Sequence, residues 1–268
     1  MEALEVTRSI VLPDPRVAVC GDWHGNVGWV RTLAKALPHL APDIRTILQL
    51  GDWWMDPGAD ALLMEAGIER VYVTLGNHEN YGEITPLLNA HPGHAVRVSD
   101  ITWILPRPAR LTIGGRSVLS LGGATSVDKA WRREGVSWWP DEDITDEQVE
   151  AAIAGGSADL MLTHEGPDRT PVSAVRAVLS SNPMGFPDDA LADSLHSRRQ
   201  VAKVWDRVHP ALLAHGHMHA PGGGQTDDGR RVASFGCDGQ QGSIGFLDMF
   251  TLTMQTPGLR DIRDAAGR

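Results

Sequence analysis

Seven side chains of metal-ligand type follow short apolar runs in this chain. RVAVC at 16–20 leads into GDWHGN, which carries Asp22 and His24. TILQL at 46–50 leads into GDWW with Asp52, and VYVTL at 71–75 into GNHEN with Asn77 and His78. DLMLT at 159–163 ends at His164 of HEGP, and ALLA at 211–214 runs into HGHMH with His217 and His219. Imidazole and carboxylate oxygen together suit borderline ions such as Mn, Fe and Zn, and the set contains no thiolate. Alternate residues at a strand end project to one side, so Asp-x-His and His-x-His each aim two donors at one place. The adjacent glycines allow tight turns. Seven donors exceed what one tetrahedral ion with an open position needs, and suit two ions sharing a carboxylate. Any one of these histidines alone reads as a hydrogen-bonded structural residue. The five loops together point to a dimetal centre.

These loops need a frame. The apolar runs are of strand length, bounded by turn residues, and suit strands buried on both faces. Good helix formers at 30–37 and 59–66 separate the early runs, which predicts βα units with functional loops past the C-terminal strand ends. Residues 103–121 carry Gly114-Gly115 between two β-rich runs, as in a hairpin. A second β-rich region covers 231–235 and 245–252, so antiparallel strands are expected as well. Asp141 to Thr145 resembles a helix start, the helix running to about Ala154, rather than a third metal site. Residues 165–205 read as a loop and helix inserted over or beside the site, the helical stretch spanning 190–208. No repeat, linker or low-complexity tract divides the 268 residues, so a single domain over 1–268 is expected.

The blocks GDWHGN, GDWW, GNHE, TH and GHMH, in this order, resemble those of the calcineurin-like metallophosphoesterase superfamily. The resemblance spans Asp22 to His219. It implies an α/β, four-layer fold: two mixed β-sheets packed as a sandwich flanked by α-helices. By motif, Asp22, His24 and His219 would hold one ion, Asn77, His164 and His217 the other, and Asp52 would bridge them. Mn and Fe are the first choices for the ions, with Zn or Ni as alternatives. Two ions about 3.5–4 Å apart can clamp a phosphoryl group and lower the pKa of a bound water, giving a metal-bound hydroxide to attack phosphorus. The resemblance makes His78 the catalytic group that protonates the leaving group or stabilises the transition state. The second block departs from the protein phosphatases' GDxxDRG: Met55 stands where they carry the Asp that supports the catalytic His, leaving Asp56 and Glu79 as candidate partners of His78.

The remaining signals are weaker. Trp23, Trp53, Trp54, Trp138 and Trp139 either pack loops or form a stacking wall for a flat substrate. His215 reads as structural or as an orienter of a ligand, Asn26 as a turn residue or a site contact, and Arg132 and Arg133 as a solvated face or phosphate contacts. His39, His91, His94, His196 and His209 fit no block. The net charge of −10 argues against extended nucleic-acid binding. No stretch is apolar and long enough to span a bilayer. No signal peptide is apparent, and Cys20 and Cys237 read as reduced and buried, so the cytoplasm is expected. The sequence thus points to a phosphoesterase acting on a phosphorylated small molecule or nucleotide. Its alternatives are a nuclease, a protein phosphatase, or a scaffold that has lost catalysis. Oligomeric state is not legible.

Overall fold

The computed structural model describes residues 1–54 and 58–267. Met55 and Asp56, on which the comparison of the second block turns, lie outside the described residues. The chain opens with β1 (Glu5–Thr7), β2 (Ile10–Leu12) and β3 (Arg16–Cys20), followed by α1 (Val27–Leu40) and β4 (Thr46–Gln49). Next come α2 (Gly58–Glu65), β5 (Arg70–Val73), α3 (Tyr81–Ala90), β6 (Ala95–Arg97) and β7 (Thr102–Ile104). The hairpin β8 (Ala109–Ile113) and β9 (Arg116–Leu121) precedes α4 (Asp146–Ala154) and β10 (Leu160–Thr163). Then α5 (Ser173–Ser181) and α6 (Asp188–Val208) lead to β11 (Leu212–His215), β12 (Gly222–Gln225) and β13 (Arg231–Ser234). β14 (Ile244–Asp248), β15 (Thr253–Gln255) and α7 (Leu259–Ala266) complete it.

The strands form two sheets, ordered β1-β6-β7-β5-β4-β3-β14-β15 and β12-β13-β11-β10-β9-β8-β2. Their packing follows from the period of two along each strand. Val17 and Val19 enter the core between the sheets, with Leu48, Leu160, Leu162, Leu212 and Ala214. Ala18 and Cys20 face the other way, into a core with Val30, Leu33 and Leu37 of α1, Leu63 of α2 and Ile262 of α7. Met161 and Leu213 project from the second sheet onto Val149 of α4 and Val201, Val204 and Trp205 of α6. Each apolar run therefore feeds two cores, which is why the runs lack polar alternation. The result is the expected sandwich of two mixed sheets with helices on both outer faces.

Local signals act as read in several places. Gly114 and Gly115 turn β8 into β9 with φ of +55° and +77°. Thr145 caps α4 in a reciprocal pair with Gln148, and residues 140–142 before it form only a short 3-10 turn. Two details differ from expectation. β13 pairs parallel to β11, although β12 and β14 supply the expected antiparallel pairings. The helices α3 and α7 carry weaker sequence signals: α3 contains Pro86, and α7 is eight residues long. Within 165–205, α5 and most of α6 follow a loop, and α6 lies in the outer layer. Among the described residues no helix is long and apolar enough to cross a membrane.

β3, β4 and β5 run parallel in one sheet, and β10 and β11 run parallel in the other, Thr163 level with His215. All five ligand loops leave these strands at their C-terminal ends. Backbone bonds tie them together: Trp23 and His24 donate to the Asp52 carbonyl, and Gly216 donates to that of His164. Across the sheets, the His217 amide donates to both carboxylate oxygens of Asp22, each at 3.2 Å.

Candidate metal centre

The structure brings all seven sequence-predicted donors into one cluster at this edge of the sandwich. Asp22, Asp52, Asn77 and His164 are buried, His24 and His217 are half-buried, and His219 is exposed at 39 %. Two imidazole pairs flank Asp52. His24 and His219 have ring centroids 5.0 Å apart, and so do His164 and His217. The two carboxylate oxygens of Asp52 divide between them: Oδ2 lies 3.5 Å from His24 Nε2, and Oδ1 lies 3.4 Å from His164 Nε2. Oδ2 of Asp22 lies 2.9 Å from His219 Nε2, and Oδ1 of Asn77 lies 2.9 Å from His164 Nε2.

The backbone is bent to achieve this. Among the described residues nine non-glycine residues have positive φ, and His24, Asp52, Trp54, His217 and His219 are five of them. Such conformations cost about 1–3 kcal/mol each and persist where the surroundings over-determine them. Two glycines permit the close approach. A Cβ at Gly216 would stand 2.2 Å from Asp22 Oδ1, and one at Gly51, where φ is +102°, 2.4 Å from His164 Nδ1. These glycines make room for the Asp22 and His164 side chains as well as turning the chain.

The His164 and His24 rings are each held by their other nitrogen. The Leu50 carbonyl accepts from His164 Nδ1–H at 2.6 Å, which leaves Nε2 turned toward Asp52 and Asn77. Asp238 Oδ1 lies 2.9 Å from His24 Nδ1, and its Oδ2 accepts from Asn26 at 2.6 Å. Glu165 Oε2, buried and without a hydrogen bond among the described residues, lies 4.0 Å from His217 Nε2. Ser126 Oγ accepts from the Asn77 amide at 2.9 Å. Carboxylates and carbonyls behind imidazoles are the usual means of orienting metal-binding histidines.

The electrostatics favour a cation. Burial disfavours charge on His24, His164 and His219, yet neighbouring groups outweigh it. Asp52, Asp238 and Asp22 lift His24 to about 9. Asp52, Asp22 and the Leu50 carbonyl lift His164 to about 10, and Asp22 and Cys237 lift His219 to about 10. Burial also opposes the Asp52 charge, and the His164 and His24 imidazoles hold its pKa well below the carboxylate range nonetheless. Burial, then the charge of His164, keeps His217 well below the imidazole range. A divalent cation would meet the same negative charge and displace the protons. The donors fit that role. Ligand atoms of Asp22, Asp52 and His164 lie within 4.8 Å of one another, and so do those of His24, His219 and Cys237. Bonds of about 2.0–2.3 Å span such gaps.

His78 stands at the mouth of this cluster, its ring centroid 6.1 Å from that of His24. Its backbone N–H donates to Asp52 Oδ1 at 2.9 Å, so the ligand and the neighbouring histidine are positioned as a unit. Glu79 does not support its ring. That carboxylate faces inward, accepts from the amides of Trp53, Trp54 and Gly76, and is pushed up to about 7 by burial and then by the Asp52 charge. The group that meets the His78 ring is Arg132, whose Nε donates to Asp128 at 2.9 Å. Arg133 is exposed.

Several other readings resolve. Trp23 is buried in the core, Trp53 is buried but lines the cavity beside His78, and Trp54 is 44 % exposed with its ring 5.3 Å from that of His78. Trp139 and Trp54 line one cavity. His215 is fully buried: Nδ1 lies 3.0 Å from the Gly216 carbonyl oxygen, and Nε2 makes no hydrogen bond among the described residues. Cys20 is buried as expected, but Cys237 is only half-buried. Asp238, Cys237, Glu165, Asp128 and Ser126 escaped the sequence reading. Glu165 adjoins His164 within HEGP and was the most accessible of them; the others stand in no ligand block.

A sandwich of two mixed sheets whose parallel strand ends carry imidazoles around a shared carboxylate defines the class: a metal-dependent phosphoric ester hydrolase. The model of the calcineurin-like phosphoesterase family matches residues 15–221, and the chain belongs to that family. Two solved structures agree on the fold. The protein TT1561 of Thermus thermophilus superposes with a TM-score of 0.55 at 14% identity, covering 92% of this chain and 99% of its own. A dimetal phosphatase from Danio rerio superposes with a TM-score of 0.54 at 12% identity, covering 92% and 97%. A sequence comparison with curated proteins found no significant match.

Proposed function

We propose that the chain hydrolyses a phosphomonoester or phosphodiester of a small molecule or nucleotide at a centre of two metal ions. The observation that carries this reading is the division of the Asp52 oxygens between His24 and His164. Asp22, His24 and His219 would hold one ion, Asn77, His164 and His217 the other, with Asp52 common to both. Bound there, the ions would neutralise phosphoryl charge and acidify water. Mn and Fe remain the leading choices by ligand type, with Zn and Ni as alternatives.

The chain's own groups complete the chemistry. His78, beside the donor cluster, hands a proton to the leaving oxygen or steadies the charge on it. Arg132, kept extended by Asp128, presents its guanidinium to a phosphoryl oxygen or to the leaving group. The cavity next to them has a volume of about 780 Å³ and is lined by Trp54, Trp139, His78 and Arg132 among others. That volume suits a small molecule or nucleotide. The exposed indole of Trp54 beside His78 supports a planar group in the substrate.

A panel of nucleoside monophosphates, cyclic nucleotides, aryl phosphates and single-stranded DNA tests this, run on the native chain and on Trp54→Ala. Preference for nucleotides that disappears in the variant is the expected result. Equal rates on every monoester and diester would remove base recognition, and rapid DNA cleavage at moderate salt would make the enzyme a nuclease. A metal-loaded protein inert on all of them would return the scaffold reading.

A further inference from the structure

We infer that Cys237 supplies a thiolate ligand to the ion held by His24 and His219. The inference rests on the reading of those histidines as ligands, and adds a donor of a different kind. The Cys237 Sγ and ring nitrogens of His24 and His219 all lie within 4.8 Å of one another. The thiol is half-buried, and its contact with the carbonyl of the next residue is a long one, 3.9 Å.

The turn that carries it is built to stay there. Phe235 donates its amide to the His215 carbonyl at the end of β11, and Gly236 donates to that of Gly242. Gln240 closes the turn with a backbone bond to the Cys237 carbonyl at 3.1 Å. The next residue, Asp238, reaches His24 Nδ1 and Asn26 Nδ2. One short segment thus braces His24 through Asp238 and sets a sulfur near the His24 and His219 rings through Cys237.

The chemical consequence separates the two halves of the centre. The other ion would take Asn77, His164 and His217 with the shared Asp52, a set of oxygen and imidazole nitrogen without sulfur. A sulfur added to Asp22, His24, His219 and the shared Asp52 makes this the softer of the two sets and shifts its preference toward Zn, Co or Fe over Mg, Ca or Mn. On coordination the Cys237 thiol gives its proton to solvent, and sulfur bonds the ion as thiolate. The inference therefore assigns an Fe or Zn ion to the His24 half and turns the first choice there away from Mn.

Cobalt(II) loading tests it by a signal other than turnover. The metal-free protein is titrated with Co(II) while visible ligand-field bands and the near-ultraviolet sulfur-to-cobalt charge-transfer band are recorded. The native chain and Cys20→Ala should show both signals. Cys237→Ser should bind cobalt with ligand-field bands and lose the charge-transfer band. Bound cobalt without that band in the native chain overturns the thiolate and leaves the histidine centre standing. No cobalt bound at all overturns both. A charge-transfer band that survives in Cys237→Ser also overturns the assignment.

Discussion

Asp238 Oδ1 lies 2.9 Å from Nδ1 of His24, a residue 214 positions away in the chain. The contact leaves Nε2 of His24 facing Asp52 and places a buttress behind a residue whose φ is +46°. Removing such a carboxylate frees the ring to rotate and lowers its basicity. Asp238→Ala should weaken metal binding at the His24 half by about 10–100-fold while the fold is retained. Competition against a chromophoric chelator measures it, and unchanged affinity would show that His24 needs no buttress.

His78 touches the centre through its backbone amide on Asp52, while its ring faces the cavity. His78→Ala should leave metal content as in the native chain. Turnover of an aryl phosphate should fall by about 10²–10⁴-fold, the usual range for losing a proton-transfer group. Metal analysis beside steady-state kinetics separates the two effects, and native turnover would refute the assigned role.

Arg132 is the charged neighbour of His78, and Asp128 fixes its guanidinium. A charge-assisted bond to a phosphoryl oxygen is worth about 1.5–3 kcal/mol, so Arg132→Ala should lower kcat/KM roughly 10- to 100-fold. Arg132→Lys should recover little, because an ammonium lacks the planar fork. Full recovery by lysine would mean that Arg132 acts only as a distant positive charge.

Metal removal should cost stability as well as activity. Asp22 and Asp52 are buried carboxylates that a cation would neutralise along with their imidazole neighbours. A ligand at about 100 times its Kd stabilises the folded state by about 2.7 kcal/mol. Differential scanning calorimetry should show a lower Tm after chelation, and restoration on adding back the metal. A Tm indifferent to metal would contradict the centre.

Glu142 carries a pH dependence of its own. It is fully buried; Oε1 accepts from the Ser126 amide at 2.7 Å, and Oε2 has no hydrogen-bond partner among the described residues. Burial pushes its pKa from 4.5 up to about 7, the Ser126 bonds offsetting only part. The unfolded chain releases this proton at the lower pH, so the group's favourable contribution is full below about 4.5. It is lost as pH rises to 7, by at most about 3 kcal/mol. Glu142→Gln should therefore gain stability relative to the native chain between pH 5 and pH 8. Urea unfolding at both values checks it; an equal difference at the two would contradict the shift.

The site was legible in the sequence wherever chemistry and local geometry coincide. Asp22, His24, Asp52, Asn77, His164, His217 and His219 announce themselves by type and by place at the ends of apolar runs. The structure gathers them because those runs are adjacent parallel strands. The tryptophans were not legible in this way. Trp53 and Trp54 are neighbours in one motif and both line the cavity, yet Trp53 is buried against the core and Trp54 is exposed. A loop has no period from which to read that difference.

What the sequence determined by itself is the fold class and the family. A period of two along buried strands allows two sheets with helices outside, and five ligand blocks in order need no tertiary information to be recognised. Only the tertiary structure decided which groups stand behind and between those ligands. Asp238 and Cys237 beside His24, Arg132 beside His78, and Glu165 beside His217 are side-chain meetings set by the paths of loops. Those paths follow from the packing of both sheets, and local residue preferences do not encode them.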